Sequence, residues 1–547
     1  MASSESERYG RRSFLKAAGG AAVTTTVAGC LGGNGGGTDT QTDQGESTGT
    51  STTSGGDKGK ELPEDFPVTI TQGNMPGTLD PHDHRAIPND IVMLQCYEGL
   101  LRRTREGKIE ANLAKEWERK EKGRVRFHIR DGPTFQKTGN ELTPEDVAYS
   151  INRIVEKDTG FVSPQSGQLA GVTGAEAVDG ERAVDVTSDG LNPIVFAEFA
   201  IYCDIVEKQW VKEHEKSYIA KNMNGTGPFE LTTYKPGSRI VFERYEDYWK
   251  EPAAVTKLTF DAAKKASVRV NQLVAGETDI TVNVPPQAVP RVKNEKKAGV
   301  EAVGSTRVLY NAMRSDVEPF SSPKFRRAMN YSIDLESIVK DVLSGFGSQT
   351  GQPTLKPFFG YDDGLSPYEH DPKKAEKLVE ESGHAGASIQ LHTPVGRYLK
   401  DVQIAQAVAN MIDNLPNVSC GVKQRDFNAL AKQLTDGNLE TSPKFYLIGW
   451  GNATFDASQT INPTLSSDGV LTSYKNDELD SLLQKANSTA EKQKRSDLLQ
   501  QANTHCHEQA PWIFLNRQYS VYGVSSDISW KPRVDERIHA YAIEPAQ

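Results

Sequence analysis

Long apolar runs are missing from this chain: outside the N-terminal segment, none approaches the roughly eighteen residues a membrane-crossing helix needs. A helical span in the body is thereby excluded, and the body is expected to be soluble. Cysteine is nearly absent, five in 547 residues. Cys96, Cys203, Cys420 and Cys506 stand at separations that match no metal-knuckle pattern, and buried free thiols are their expected state. Positive charge is in deficit, with 63 Lys and Arg against 73 Asp and Glu and a net charge of −10, which argues against a nucleic-acid partner. The patterns of common catalysts are lacking too. Three glycines in Gly345-Phe346-Gly347-Ser348-Gln349-Thr350-Gly351 miss the spacing of both nucleotide-binding loops, and there is no Gly-x-Ser-x-Gly elbow or His-Glu-x-x-His helix. With no nucleophile–base pair or metal constellation visible, the expectation is a protein that is not an enzyme and carries no cofactor or metal. No fixed-period repeat occurs, which speaks against a solenoid.

What is present begins at the N-terminus. Gly10-Arg11-Arg12-Ser13-Phe14-Leu15-Lys16 precedes small, weakly apolar residues from Ala17 to Ala28, then Gly29-Cys30. So short a run cannot permanently cross about 30 Å of hydrocarbon. A charged start, a short apolar middle and small residues before a cut are the marks of a processed export signal. The arginine pair resembles the twin-arginine signal. Val27-Ala28-Gly29-Cys30 resembles a lipobox, in which the cysteine sulfur takes a lipid after cleavage. Residues 1–29 are therefore expected to be a twin-arginine signal peptide and 30–63 a lipidated Cys30 with a disordered linker. Residues 32–60 contain no aliphatic side chain and cannot bury enough apolar surface to offset chain entropy. As a flexible coil this tether would reach roughly 30 Å from the outer face of the membrane.

About 485 residues follow from Leu62, enough for roughly three domains. Strand and helix signals alternate along them, which favours an α/β protein with more than one lobe. Val68-Thr69-Ile70 predicts a short strand and Ile91 to Leu101 an apolar helix. Arg124 to Arg130 alternates basic and apolar residues, as in a half-exposed strand with a solvated charged face. Thr143-Pro144-Glu145-Asp146 predicts a helix start, with Thr143 as cap, Pro144 in the first turn and two acids at the positive helix end. The same grammar recurs at Ser322-Pro323 and at Asp371-Pro372, where Gly383 supplies a stop.

Four stretches carry polar groups that chemistry could use. His82-Asp83-His84 offers two imidazoles and a carboxylate, but alternate positions of a loop seldom converge on one ion, and a solvated loop is expected. His505-Cys506-His507 lies at a helix end, where its side chains diverge and packing is expected. Thr393-Pro394-Val395-Gly396-Arg397-Tyr398 leaves the end of a strand and leads to a helix, a usual place for ligand contacts in α/β lobes. There the planar fork of Arg397 suits a carboxylate, and Tyr398 is beside it. Phe445 to Asp456 reads as a buried strand that ends in Gly449-Trp450-Gly451-Asn452, with bare glycine backbone next to Trp450 that a ligand could approach.

A series of segments in order is similar to the extracytoplasmic solute-binding proteins of family 5, the dipeptide, oligopeptide and nickel binders of ATP-binding-cassette importers. They include Thr78-Leu79-Asp80-Pro81, Tyr97-Glu98-Gly99-Leu100-Leu101, Leu113-Ala114-Lys115-Glu116-Trp117-Glu118 and Gly225-Thr226-Gly227-Pro228-Phe229. Tyr248-Trp249, Leu273 to Ile280, Phe325 to Asp334, Gly449-Trp450 and Ala510-Pro511-Trp512-Ile513 follow. The resemblance implies a class II periplasmic-binding-protein-like clamshell of two lobes with an inserted subdomain. Carried onto this chain, lobe I takes 64–97, 223–307 and 508–547, its inserted subdomain 98–222, and lobe II 308–507. It implies capture of a peptide between the lobes and delivery to membrane permease subunits by a monomer. The implied ligand contacts are Arg397, Tyr398, Trp450, Gly451, Asn452, Asp456, Tyr97, Tyr310 and Asn311, with Arg397 on the peptide's terminal carboxylate. One departure stands out. Peptide binders of the family carry an aspartate for the ligand's α-ammonium three residues after the tryptophan, and here that position is Ala453, with Asp456 three residues later as a substitute or a helix cap. A non-peptide solute therefore remains an alternative, such as a nickel chelate or a glutathione-like or other anionic metabolite. Beyond binding, the scaffold could serve as an exported hydrolase or a sensor.

Overall fold

Where Pro, Thr and acidic residues meet an apolar periodicity, the chain turns into helix as its local chemistry dictates. In the computed structural model, Thr143 accepts from the Asp146 amide while Asp146 accepts from the Thr143 amide, a reciprocal cap that starts the helix Pro144–Val155. Ser322 caps Pro323–Tyr331, and Asp371 caps Pro372–Ser382, which ends at the left-handed Gly383. The structure describes residues 62–547 except 85, 157–160, 170, 436 and 437. The export signal, Cys30 and nearly all of the linker lie outside the described residues.

The framework is one large mixed sheet of eleven strands. Its order is Val418–Arg425, Ala387–Pro394, Phe445–Gly451, Ala298–Met313, Trp512–Ser525, Ile280–Val282, Pro67–Gln72, Lys257–Ala262, Arg239–Arg244 and Phe229–Lys235, with Gly347–Gln349 pairing to Trp512–Ser525 off this path. Two parallel crossovers build its flanks: Ala387–Pro394 to Val418–Arg425 through the helix Asp401–Asp413, and Lys257–Ala262 to Ile280–Val282 through Ala266–Ala275. A separate four-stranded antiparallel sheet contains Ala114–Glu121, Arg124–Ile129, Ala183–Ser188 and Val172–Ala177. There the charged face expected of Arg124 to Arg130 is paired across strands, with Arg126 forked onto Asp185 at 2.7 and 3.0 Å.

Three apolar cores correspond to these parts. One joins Val68, Tyr97, Phe229, Phe260, Tyr522 and Trp530. A second, with Leu113, Phe127, Ile151 and Phe199, draws its buried members from residues 100–205, with Trp249 packed against it. The third contains Tyr310, Phe325, Ile404, Phe445 and Phe514. The result is a two-lobed α/β clamshell with an inserted subdomain. The two long strands, Ala298–Met313 and Trp512–Ser525, pair along the middle of the large sheet, and their pairing shifts register between Gly304 and Val308. In that bulge the Thr306 amide donates to the Val534 carbonyl and its own carbonyl accepts from the Asn452 amide.

The predicted helix from Ile91 to Leu101 is corrected: the helix is Ile87–Met93, and Leu101–Arg103 is a strand. The reason is competition for backbone carbonyls. Those of Gln95, Cys96 and Glu98 accept from Phe229, Gly227 and Ile205, so the intervening chain is spent on tertiary bonds rather than on further helical turns. This approach requires bare backbone at Gly225, where an added Cβ would stand 2.0 Å from the Cys96 carbonyl oxygen. Gly225→Ala should therefore cost about 2–3 kcal/mol through overpacking. Urea unfolding checks this, and a loss under about 0.5 kcal/mol would mean that the crossover yields without strain.

Candidate functional site

The loop after the strand Ala387–Pro394 is held by one carboxylate. Asp401 Oδ2 accepts from the amides of Arg397 and Tyr398 at 2.8 and 3.1 Å, and Oδ1 accepts from the Val402 amide. This organises the turn and frees the Arg397 side chain to lie against two rings, its guanidinium carbon 5.0 Å from the centroids of Tyr398 and of Phe427. The half-buried guanidinium of Arg397 forms no hydrogen bond or ion pair among the described residues, and burial, aided by the charge of Arg307, pulls its pKa below the usual arginine value. A cation so placed favours an incoming anion. Next to it, Val395 is exposed at the loop tip.

Arg307 comes from the strand Ala298–Met313. It forms a buried ion pair with Glu536 at 2.9 Å and donates to the Gly449 carbonyl at 3.3 Å. Burial opposes its charge, but Glu536 more than offsets this and raises its pKa. Tyr398 donates its hydroxyl to the same carbonyl at 3.4 Å. The glycine backbone at 449 and 451 is thus covered: an added Cβ would stand 3.0 Å from Arg307 Cδ and Tyr398 Cε1 at Gly449, and 3.1 Å from Arg307 Nη2 at Gly451. Trp450 is half-buried, and its indole N–H donates to the Gln459 carbonyl.

Several expected contacts are placed differently. Asp456 gives both oxygens to Arg495, at 2.6 and 2.9 Å, and one also caps the helix Ala457–Leu465 through Ser458. Asn452 bonds to Asp456, Thr460, Thr454 and Phe455, closing its own turn. Tyr310 and Asn311 are successive residues of a central strand, so their side chains point to opposite faces, and in this sheet both faces are covered. Tyr310 stacks on Trp512 with ring centroids 3.5 Å apart, and Asn311 is fully buried. Neither lines an open cleft here. Tyr97 does line a cavity, with its ring buried.

The His82-Asp83-His84 loop is also corrected. It is not solvated: His82 and His84 are buried, His82 bridging Arg153 and the Asp204 carbonyl at 2.9 and 2.7 Å. Burial pushes the His82 pKa down to about 4. His505 and His507 pack as expected, His505 against Tyr474 and His507 stacked on Tyr368. No metal-holding group of side chains occurs among the described residues, and Cys96, Cys203, Cys420 and Cys506 are free thiols.

Sequence reasoning missed Arg307, Glu536 and the segment Arg533 to Tyr541. The signal was the dense charge run Arg533-Val534-Asp535-Glu536-Arg537, too charged for an ordinary tail. It missed Arg103 as well, which donates to the Thr454 carbonyl at 2.8 Å with its guanidinium 4.4 Å above the Phe455 ring. A half-open cavity of about 90 Å³ near this contact is lined by Tyr97, Arg103, Phe199, Asp204 and Arg537 among others.

Residues 108–471 match the family model described as "Bacterial extracellular solute-binding proteins, family 5 Middle". Among curated proteins, the chain is 25% identical over 439 residues to heme-binding protein A of Haemophilus influenzae, covering 74% of this chain and 78% of that protein. It is 26% identical over 435 residues to the dipeptide-binding protein of Escherichia coli, covering 74% and 80%. Among solved structures, the periplasmic binding protein of Helicobacter pylori in complex with the peptide STSA superposes with a TM-score of 0.78 at 21% identity, covering 88% of this chain and 98% of that one.

Proposed function

The chain belongs to the bacterial extracellular solute-binding proteins of family 5, and from that premise we propose that it captures a carboxylate-bearing solute, a short peptide, between its lobes. We extend the proposal to an exported lipoprotein, anchored at Cys30 and monomeric, that hands its cargo to an importer's permease without chemical change. One observation carries the ligand reading: Arg397 is a half-buried guanidinium with aromatic walls and no ion-pair partner among the described residues. Tyr398 and Trp450 flank the loop and strand end that frame it. The lobe limits proposed are 64–97, 223–307 and 508–547 for lobe I, 98–222 for its subdomain and 308–507 for lobe II.

A two-lobed binder works by differential affinity: a solute that touches both lobes binds the closed state more tightly and draws the equilibrium toward it. The test is a thermal-shift screen of dialysed protein with free dipeptides, glutathione, nickel–histidine and uncharged controls. Carboxylate-bearing peptides should raise the unfolding temperature and be recovered intact. Stabilisation by nickel–histidine alone would move the assignment to a metal chelate, and hydrolysed peptide would revive the enzyme reading.

A further inference from the structure

The acid that peptide binders of this family place after the tryptophan is replaced by the buried Ala453, and Asp456 is committed to Arg495. An amphoteric solute needs its cationic end met elsewhere. The half-open cavity has four lining carboxylates: Asp90, Glu98, Asp204 and Asp535. Three are engaged in ion pairs, Asp90 with Arg537 at 2.8 Å, Glu98 with Lys250 at 2.9 Å and Asp535 with Arg533. The Asp204 carboxylate has no ion pair or hydrogen bond among the described residues. Its backbone is fixed on both sides, since its carbonyl accepts from His82 and the next amide, of Ile205, donates to the Glu98 carbonyl.

We propose that Asp204 takes the cationic amino end of the solute, in place of the family's missing acid. This rests on the peptide reading above. The cations that line the same cavity are engaged elsewhere, Arg102 with Glu110, Arg103 with the Gly107 and Thr454 carbonyls, Lys250 with Glu98, Arg533 with Asp535 and Arg537 with Asp90. The aromatic faces of Tyr97, Phe199, Tyr202 and Tyr248 there attract a cation. Arg537 is near enough to affect the titration of Asp204 but directs its Nη2 to Asp90 and leaves Nη1 without a partner. The cavity, about 90 Å³, is several times what one water requires. It also adjoins the anion site through the chain: Asp535 and Arg537 line it, while Glu536 between them pairs with Arg307 near Arg397. Burial, with Asp90 and Glu98 adding to it, raises the Asp204 pKa to about 7, as a carboxylate awaiting a counter-charge should show.

The experiment is calorimetry of wild type and Asp204→Asn with a panel of free dipeptides and the same dipeptides N-acetylated, which removes the ammonium. In wild type, acetylation should weaken binding at least tenfold. In Asp204→Asn the free dipeptide should lose a similar factor, and acetylation should cost little more. If acetylation costs the variant as much as the wild type, the ammonium is held elsewhere; this overturns the assignment and leaves the peptide reading standing. No loss on acetylation in wild type also overturns it, without needing any variant to fold. If no dipeptide of either kind binds wild type, the peptide reading itself fails and takes this assignment with it. Unliganded thermal midpoints of the two proteins confirm that both are folded.

Discussion

Arg397→Ala should weaken binding of a free dipeptide by tenfold to a hundredfold while leaving the unfolding temperature of the empty protein almost unchanged. A charge-assisted hydrogen bond to a buried group is worth about 1.5–3 kcal/mol, which covers this range. The two halves of the expectation have one cause. Arg397 makes no ion pair among the described residues, so its removal costs little packing beyond its contact with Tyr398 and Phe427. Burial and Arg307 disfavour its charge in the empty protein, so a ligand carboxylate relieves an existing penalty. Arg397→Lys should recover only part of the affinity, because an ammonium cannot fork onto both carboxylate oxygens. Amidation of the peptide's C-terminus should reproduce the loss in wild type and add nothing in Arg397→Ala. Unchanged affinity in the variant would remove Arg397 from the site.

Asp456→Ala should have the opposite profile: a loss of about 3–5 kcal/mol of stability, with little change in the affinity of the folded protein. Removing one partner of a buried ion pair leaves the other charge without compensation. Here that charge is Arg495, which is 4% exposed and already carries an unpartnered Nε. The helix Ala457–Leu465 would lose its cap as well. Burial pushes the Asp456 pKa up, but the charge and hydrogen bonds of Arg495 overcome it and hold the carboxyl below its ordinary 3.8. Its contribution is therefore present above the unfolded value and is lost as pH falls through the lower, folded one. In Asp456→Ala, the acid side of the stability profile below about pH 4 should flatten accordingly. Equilibrium unfolding across pH, with calorimetry on the same samples, checks both parts. A normal stability with a large loss of affinity would return Asp456 to the binding site.

These expectations separate what was legible in the sequence from what was not. Helix starts such as Thr143-Pro144 and Asp371-Pro372 are local chemistry, and the structure has them where the residues predict. The ordered family segments carry the clamshell, and one of them, at Gly225, sits where the backbone crosses the Cys96 carbonyl. The placement of Arg397 between a strand and a helix was legible because it depends only on neighbouring sequence. The differences involve partners far along the chain. Ile91 to Leu101 has helical periodicity, yet its carbonyls accept from residues 205–229. Asp456 was open between a ligand contact and a helix cap; it caps Ala457–Leu465, and its pairing with Arg495 was hidden because that partner is remote in sequence. Tyr310 and Asn311 lie in a strand buried on both faces, which periodicity alone does not reveal. Glu536 and Asp204 acquire meaning only when the C-terminal segment folds back against residues 90–103.

The central claim is retention of a carboxylate-bearing solute without chemical change. It is tested most directly by incubating dialysed protein with the free dipeptide panel, removing unbound material, denaturing the protein and identifying the released molecules by mass spectrometry. Intact dipeptides with free carboxylates, retained in stoichiometric amounts by wild type and lost from Arg397→Ala, are the predicted result. Release of free amino acids, or equal retention of C-terminally amidated dipeptides, would contradict it.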